Sequence, residues 1–308
     1  MGAGWVAGVT RAEAMASARA GPTTARHLAT AANLSDALRL LSATPYRRGL
    51  DVGAGVAQAQ RAVTEALVWQ LRVLAGWQPR SGSAAVRLLA SGFEIANTRG
   101  HMRSLSGASA PPPYHLGALS TAWPRLCGAP SRAGVRATLA ASLWGDPGDE
   151  SPAAVVTGMR WSAAARTAAN LPPAARWATG EAALLWVREV FLAGRPPPPP
   201  VVRHATRLLG AAAVDAASFT EFRVRLSSAA RWVLDGVERP EELWRAEARW
   251  WTTVERDGLR LLRDARFDVS PVVGAVAVLC ADAWRVRAGL ECAAQGGRAL
   301  EAFDELLG

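Results

Sequence analysis

"QRAVTEALVWQLRVLAGW", residues Gln60–Trp77, is the stretch whose periodicity decides the fold class. Val63, Ala66, Leu67, Leu71 and Leu74 recur at i, i+3, i+4 spacing, while Arg61, Glu65 and Arg72 fall elsewhere on the helical wheel. Trp69, Val73 and Trp77 add a second apolar row at i+4 spacing, which predicts a helix buried on more than one side. The same period predicts helices over Ala84–Leu105, Ala182–Ala193, Val201–Ala216, Phe222–Leu234, Glu241–Ala265 and Pro271–Ala293. Pro240 at or just before a first turn, followed by acids at the positive end of the helix dipole, marks the start of the Glu241 helix. No segment alternates with period two between hairpin turns, so the fold class is all-α.

At 308 residues and 50% hydrophobic content the chain can bury a substantial core. The net charge of +9 suggests an acidic partner, yet all 35 basic residues are arginine and none is lysine. With abundant Ala, Gly, Pro and Trp and scarce Asn and Ile, this reads as GC-rich coding stamped on an ordinary protein. The arginines occur singly or in pairs, as solvated helix faces do. Cys127, Cys280 and Cys292 are odd in number and have no C-x-x-C spacing, which argues against a disulfide framework or a zinc site and for a reducing compartment. On one helix Cys280 and Cys292 stand about 18 Å apart. The longest apolar run, "VSPVVGAVAVLCA" (Val269–Ala281), is shorter than the roughly 20 residues of a membrane span, and no basic segment opens a signal sequence, so the expected location is cytoplasmic.

Two proline runs, "APPPY" (Ala110–Tyr114) and "RPPPPPV" (Arg195–Val201), cut the chain into segments 1–110, 111–200 and 201–308. The second run is expected to form a stiff strut of about 15 Å, a rigid connector in preference to a docking site for a proline-binding domain. Three segments align loosely on arginines, "WVAGVTRAEAM" on Arg11, "FEIANTRGHM" on Arg99 and "ADAWRVRAGL" on Arg287.

Apparent chemical motifs dissolve on inspection. "LDVGAG" (Leu50–Gly55) resembles the first motif of Rossmann-like methyltransferases, but "TPYRRG" before it cannot be a buried parallel strand. His27, His101, His115 and His204 lack the spacing that puts two ligands on one helical face. "WGDPGDE", with Asp146, Asp149 and Glu150, reads as a Pro-Gly turn with solvated acids before it reads as a cation site. With no G-x-S-x-G, P-loop or acidic metal-diphosphate helix, no catalytic, cofactor-binding or metal-binding residues are assigned. Trp250 and Trp251 point about 100° apart on a helix, and at least one of them is expected at a subunit interface.

"HLATAANLSDALRLLSATPYRRGL" (His27–Leu50) resembles the N-terminal region of the C-type subunit of V/A-type (vacuolar/archaeal-type) ATPases, the relative of the d-type subunit of eukaryotic V-ATPases. "FEIANTRGHMRSL", with Phe93, Glu94, Asn97 and Arg99, is similar to the family's second element. "VVGAVAVLCADAWRVRAGLE" is similar to its third, although Trp284 and Arg285 replace the family's Asn-Leu. The resemblance implies three similar helical units in a funnel about a pseudo-threefold axis. It implies a non-catalytic central-rotor socket, without cofactor, coupling the shaft (D/F-type subunits) to the membrane ring (c/K/L-type subunits). Such a protein would be cytoplasmic and peripheral on the inner face of the membrane, without a span of its own and without nucleic acid. Arg11, Tyr46, Arg47, Asn97, Arg99, Arg103, Arg285 and Arg287 are then the candidate partner-binding residues, because an arginine fork holds carboxylates and carbonyls in a fixed direction. Intramolecular salt bridges are the competing use of these side chains. An arginine-rich nucleic-acid binder is the alternative function, and a methyltransferase using Leu50–Gly55 the lesser one.

Overall fold

The structure, a computed structural model, describes residues 3–264, 266–296, 298 and 300–307. Its regular secondary structure among these residues is helical throughout. The chain begins with α1 (Ala3–Ser17), α2 (Gly21–Ala29), α3 (Leu34–Leu41), α4 (Val56–Gly76), α5 (Arg80–Leu89) and α6 (Ser91–Ser104). It continues through α7 (Trp123–Leu126), α8 (Arg132–Ala140), α9 (Pro152–Asn170), α10 (Ala175–Trp186), α11 (Pro199–Leu209) and α12 (Ala211–Val214). The last elements are α13 (Phe219–Arg225), α14 (Ser228–Arg231), α15 (Leu243–Arg263), α16 (Val269–Ala294) and α17 (Leu300–Leu307). The chain forms two compact units, one of residues 1–86 with 251–308 and the other of residues 87–250. These boundaries fall elsewhere than at the two proline runs.

The first unit is built on α16, around which α1, α2, α3 and α4 pack. That surround explains its composition, since a helix that is apolar on every side must be buried on every side. Among the described residues α16 is the one helix long and apolar enough to cross a membrane, and 83% of its apolar window is buried inside the protein. Pro271 does not break it, because it sits in the first turn, where backbone N–H groups have no intrahelical partner. Glycine lets neighbouring backbones approach. A Cβ at Gly289 would lie 2.7 Å from the Ala25 carbonyl of α2, and one at Gly274 2.6 Å from the Gly258 carbonyl of α15.

The second unit has two apolar centres. One surrounds Trp161 of α9, which meets Trp186 of α10 edge to face at 6.1 Å, with Phe222, Leu226 and Val233 packed around them. The other gathers Met102, Leu126, Val135, Leu139 and Trp144 from α6, α7 and α8 and the loop after it. Helix α9 is not among the sequence-based expectations, though its start is legible: Ser151 accepts a hydrogen bond from the Ala154 N–H and Pro152 opens the first turn.

Several expected elements are divided. Ala84–Leu105 is two helices parted at Ala90, and Val201–Ala216 is interrupted by Gly210, whose φ of +94° ends α11. Phe222–Leu234 comprises most of α13, then α14 and a 3-10 turn. The expected Glu241–Ala265 helix begins as a 3-10 turn at Pro240–Glu242 and runs on as α15; Ala265 lies outside the described residues. The proline strut is shorter than expected, because Pro199 and Pro200 open α11 as first-turn residues. Pro198 and Pro200 lie against Gly148, where a Cβ would come within 3.0 Å of both.

The row Trp69, Val73, Trp77 is the largest departure. The first unit packs on the Val63–Leu74 face of α4, and Trp69 and Trp77 stand 39% and 53% exposed. Trp250 and Trp251, by contrast, both find partners inside the chain. Trp250 donates its indole N–H to the Trp177 carbonyl at 2.8 Å, and Trp251 stacks on Trp284 at 5.6 Å.

Candidate functional site

The "LSDALRLLSATPYRR" corner (Leu34–Arg48) is built from three local devices. Asn33 caps α3 by accepting from the Asp36 N–H at 3.0 Å. Leu38 and Leu41 bury the helix face. Thr44, forced into extended backbone before Pro45, bonds the Leu41 carbonyl and accepts from the Tyr46 N–H. Tyr46 is thereby turned inward, 1% exposed, and its hydroxyl donates to Asp282 at 2.9 Å.

Asp282, fully buried on α16, accepts two further hydrogen bonds, from the Ala20 and Gly21 N–H groups at 3.1 and 2.7 Å. These are orphan donors at the start of α2, which has no side-chain cap of its own. A carboxylate from the far end of the chain therefore caps this helix, with the helix dipole favouring its charge. Burial pushes the Asp282 carboxyl up, with the three donors opposing, and burial together with the Asp282 charge raises the Tyr46 phenol well above its usual range. Tyr46 is thus the donor and Asp282 the acceptor.

The second unit contains the same arrangement. Glu94, 1% exposed on α6, accepts from the Thr121 and Ala122 N–H groups at 2.5 and 2.7 Å, where α7 begins without a side-chain cap. The Trp144 indole N–H supplies the third bond at 2.9 Å. Between them run matching corners. Ser131 caps α8 through the Gly134 N–H as Asn33 caps α3, and Ser142 bonds the Leu139 carbonyl and accepts from the Trp144 N–H as Thr44 does at Tyr46. Leu28 precedes Tyr46 by the same 18 residues as Leu126 precedes Trp144. A third cap follows 87 residues after Ser131: Ser218 accepts from the Glu221 N–H at the start of α13, with Phe222 and Leu226 buried behind it. Glu181, 87 residues after Glu94, lies on α10, where burial raises its carboxyl. The place of Tyr46 and Trp144 is taken there by Arg231, which bonds the Leu226 carbonyl instead.

This geometry sorts the candidate residues. Tyr46, Asn97 and Arg285 are buried and engaged within the chain. Asn97 holds the Tyr114 backbone through both ends of its amide, at 2.7 and 2.9 Å, and Arg285 makes a two-pronged ion pair with Glu255 of α15. Arg11, Arg47, Arg99, Arg103 and Arg287 are exposed. Arg99 and Arg287 each stand five residues after the buried acid of their helix, and five residues rotate about 140°, so an acid turned inward sets the arginine outward. In the Arg11 segment the equivalent place holds Val6, which has no acid to bury. Sequence reasoning misses Asp282 and Glu94 as pins, since most of their partners are backbone groups; the available signal is that each precedes an arginine by five residues.

The remaining motifs resolve locally. Leu50–Gly55 is a loop entering α4, in which Asp51 accepts from the Gly53 N–H. Asp146 is held by both prongs of Arg136 at 2.8 and 3.0 Å, and Asp149 accepts from the Ser151 N–H. Among the described residues no three metal-ligating side chains gather, and Cys127 and Cys280 are free thiols. No family model matches the chain, and no curated protein matches it.

Proposed function

We propose that this chain is the non-catalytic central-rotor socket of a V/A-type rotary ATPase, akin to the C-type subunit of that family. In this reading three related helical units form a funnel about a pseudo-threefold axis, with the shaft (D/F-type subunits) held inside and the ring (c/K/L-type subunits) gripped at the narrow end. The protein couples ATP turnover to ion translocation at the cytoplasmic face of the membrane.

The observation that carries the reading is the recurrence of one pin: a buried acid capping the start of another helix, an 18-residue corner, and an aromatic N–H or O–H returned to the acid. It occurs at Asp282 and at Glu94, with the cap of a third copy at Ser218. A socket that transmits torque gains from such pins, because they tie helices together independently of the residues offered to partners. Arg99 and Arg287, set outward by the same register, are the side chains best placed to meet carboxylates of a shaft helix, with Arg11, Arg47 and Arg103 beside them in sequence role. Tyr46, Asn97 and Arg285 act from behind by fixing those helices.

The test is affinity purification of the full chain from native membranes. Shaft and ring subunits are expected to co-purify and to be lost together on the Arg99→Glu, Arg287→Glu double substitution. Recovery of the chain without either sinks the proposal.

A further inference from the structure

We propose that the outward face of α4 is a docking surface for an acidic amphipathic helix of a partner protein. This inference needs only the first unit, and of the residues assigned to the rotor interface it uses Arg11 alone.

Trp69, Val73 and Trp77 repeat at i+4 spacing over about 12 Å of helix axis, the period of a helix seam, yet the fold leaves both indoles open to solvent. Between them Gly76 offers no side chain, and a Cβ there would meet nothing within 4 Å, so the face is flat and accessible. Each indole carries a guanidinium: Arg48 lies 5.0 Å from the Trp69 ring centroid and Arg11 5.8 Å from that of Trp77. Arg72, half-buried, stands on α4 between the two tryptophans in sequence. Arg11, Arg48 and Arg72 have no carboxylate partner among the described residues. The one acid in α4, Glu65, is paired with Arg61, and Asp51 of the preceding loop is occupied by the Gly53 N–H.

These features select the occupant. Stacking on an indole orients a guanidinium and leaves its N–H fork free for a carboxylate. The indoles beneath still expose apolar surface that only another apolar side chain would remove from water, and Trp with Arg is the composition of interface centres. A partner helix with apolar residues at i, i+4 and i+7 flanked by Glu or Asp satisfies both demands. A second copy of this chain would bring like charges together across a twofold contact. Nucleic acid would need indole faces on which arginine already lies.

The probe is a fluorescein-labelled helical peptide of about five turns with Leu along one face and Glu elsewhere. Controls are the same peptide with Lys in place of Glu, a Glu peptide with the Leu positions scattered, and an oligo(dT) strand. Fluorescence anisotropy with the full chain is expected to show binding of the Leu/Glu helix alone. Trp69→Ala with Trp77→Ala should weaken it at least about tenfold. The Arg11→Gln, Arg48→Gln, Arg72→Gln variant, which alters side chains outside the core, should weaken it comparably and flatten its salt dependence. Equal binding of the Lys or scattered peptide, binding unchanged in both variants, or tighter binding of oligo(dT) overturns the proposal. A dimer in sedimentation that both variants dissolve, with no peptide bound, overturns it in favour of self-association.

Discussion

Tyr46 and Trp144 share no chemistry beyond an aromatic body and one polar hydrogen, yet each brings that hydrogen to a buried acid that already serves two backbone donors. Removing a donor from a buried acceptor costs more than an average hydrogen bond returns. Tyr46→Phe is therefore expected to lower unfolding stability by about 1–3 kcal/mol in urea melts. Trp144→Phe should lose at least as much, because it also leaves space beside Glu94. Asp146 offers a contrasting case at the surface. The Arg136 fork, then the Gly148 N–H, hold its carboxyl at about 2. Its ionised form is favoured by folding, so its stabilising effect is present above the ordinary value near 3.9 and fades as pH falls toward 2. Carboxyl NMR titration should place Asp146 near 2 in the native chain and return it toward the ordinary value in Arg136→Gln. Local devices such as the Asn33 cap and the stop at Pro45 are legible in sequence because donor and acceptor lie within a few residues. The Asp282 pin is not, because its partners Ala20 and Gly21 lie 262 and 261 residues away.

Helices are recognisable wherever one face is apolar, and misjudged where context decides. On α4 the stripe through Val63 and Leu74 reports burial, but the Trp row through Trp69 and Trp77 carries the same signal while facing water. Periodicity marks a face that is apolar, not a face that this chain covers. Prolines mislead in the opposite way: five in succession suggest a strut, but a helix accepts Pro199 and Pro200 in its first turn at little cost. Glycines inside long helices are equally ambiguous until their surroundings are known. Gly274→Ala is expected to cost about 1–3 kcal/mol, because the added methyl meets the rigid Gly258 backbone at the α15–α16 crossing. Gly92→Ala on α6, where a Cβ meets nothing within 4 Å, should instead be neutral or stabilise by up to about 1 kcal/mol. Paired thermal melts of the two variants distinguish a packing glycine from an incidental one.

For the whole molecule, the informative fact is that the first unit is assembled from both ends of the chain around α16. Deleting residues 269–308 should strip hydrogen-exchange protection from α1–α4 while α9 and α10, whose neighbours lie within 87–250, keep theirs. Equal loss of protection in both units would show that they do not unfold separately. The all-α class is readable from periodicity, but this two-ended assembly is not, since nothing in the spacing of apolar residues says which distant helix they meet. The arrangement also sets a timetable for biosynthesis. When α4 leaves the ribosome, α16 begins roughly 200 residues further along the message, a delay of tens of seconds at ordinary elongation rates. Through that interval the apolar faces of α1–α4 have no α16 to close on, whereas residues 87–250 can complete their own core. Nascent chains stalled before Val269 should therefore engage chaperones through their first 86 residues.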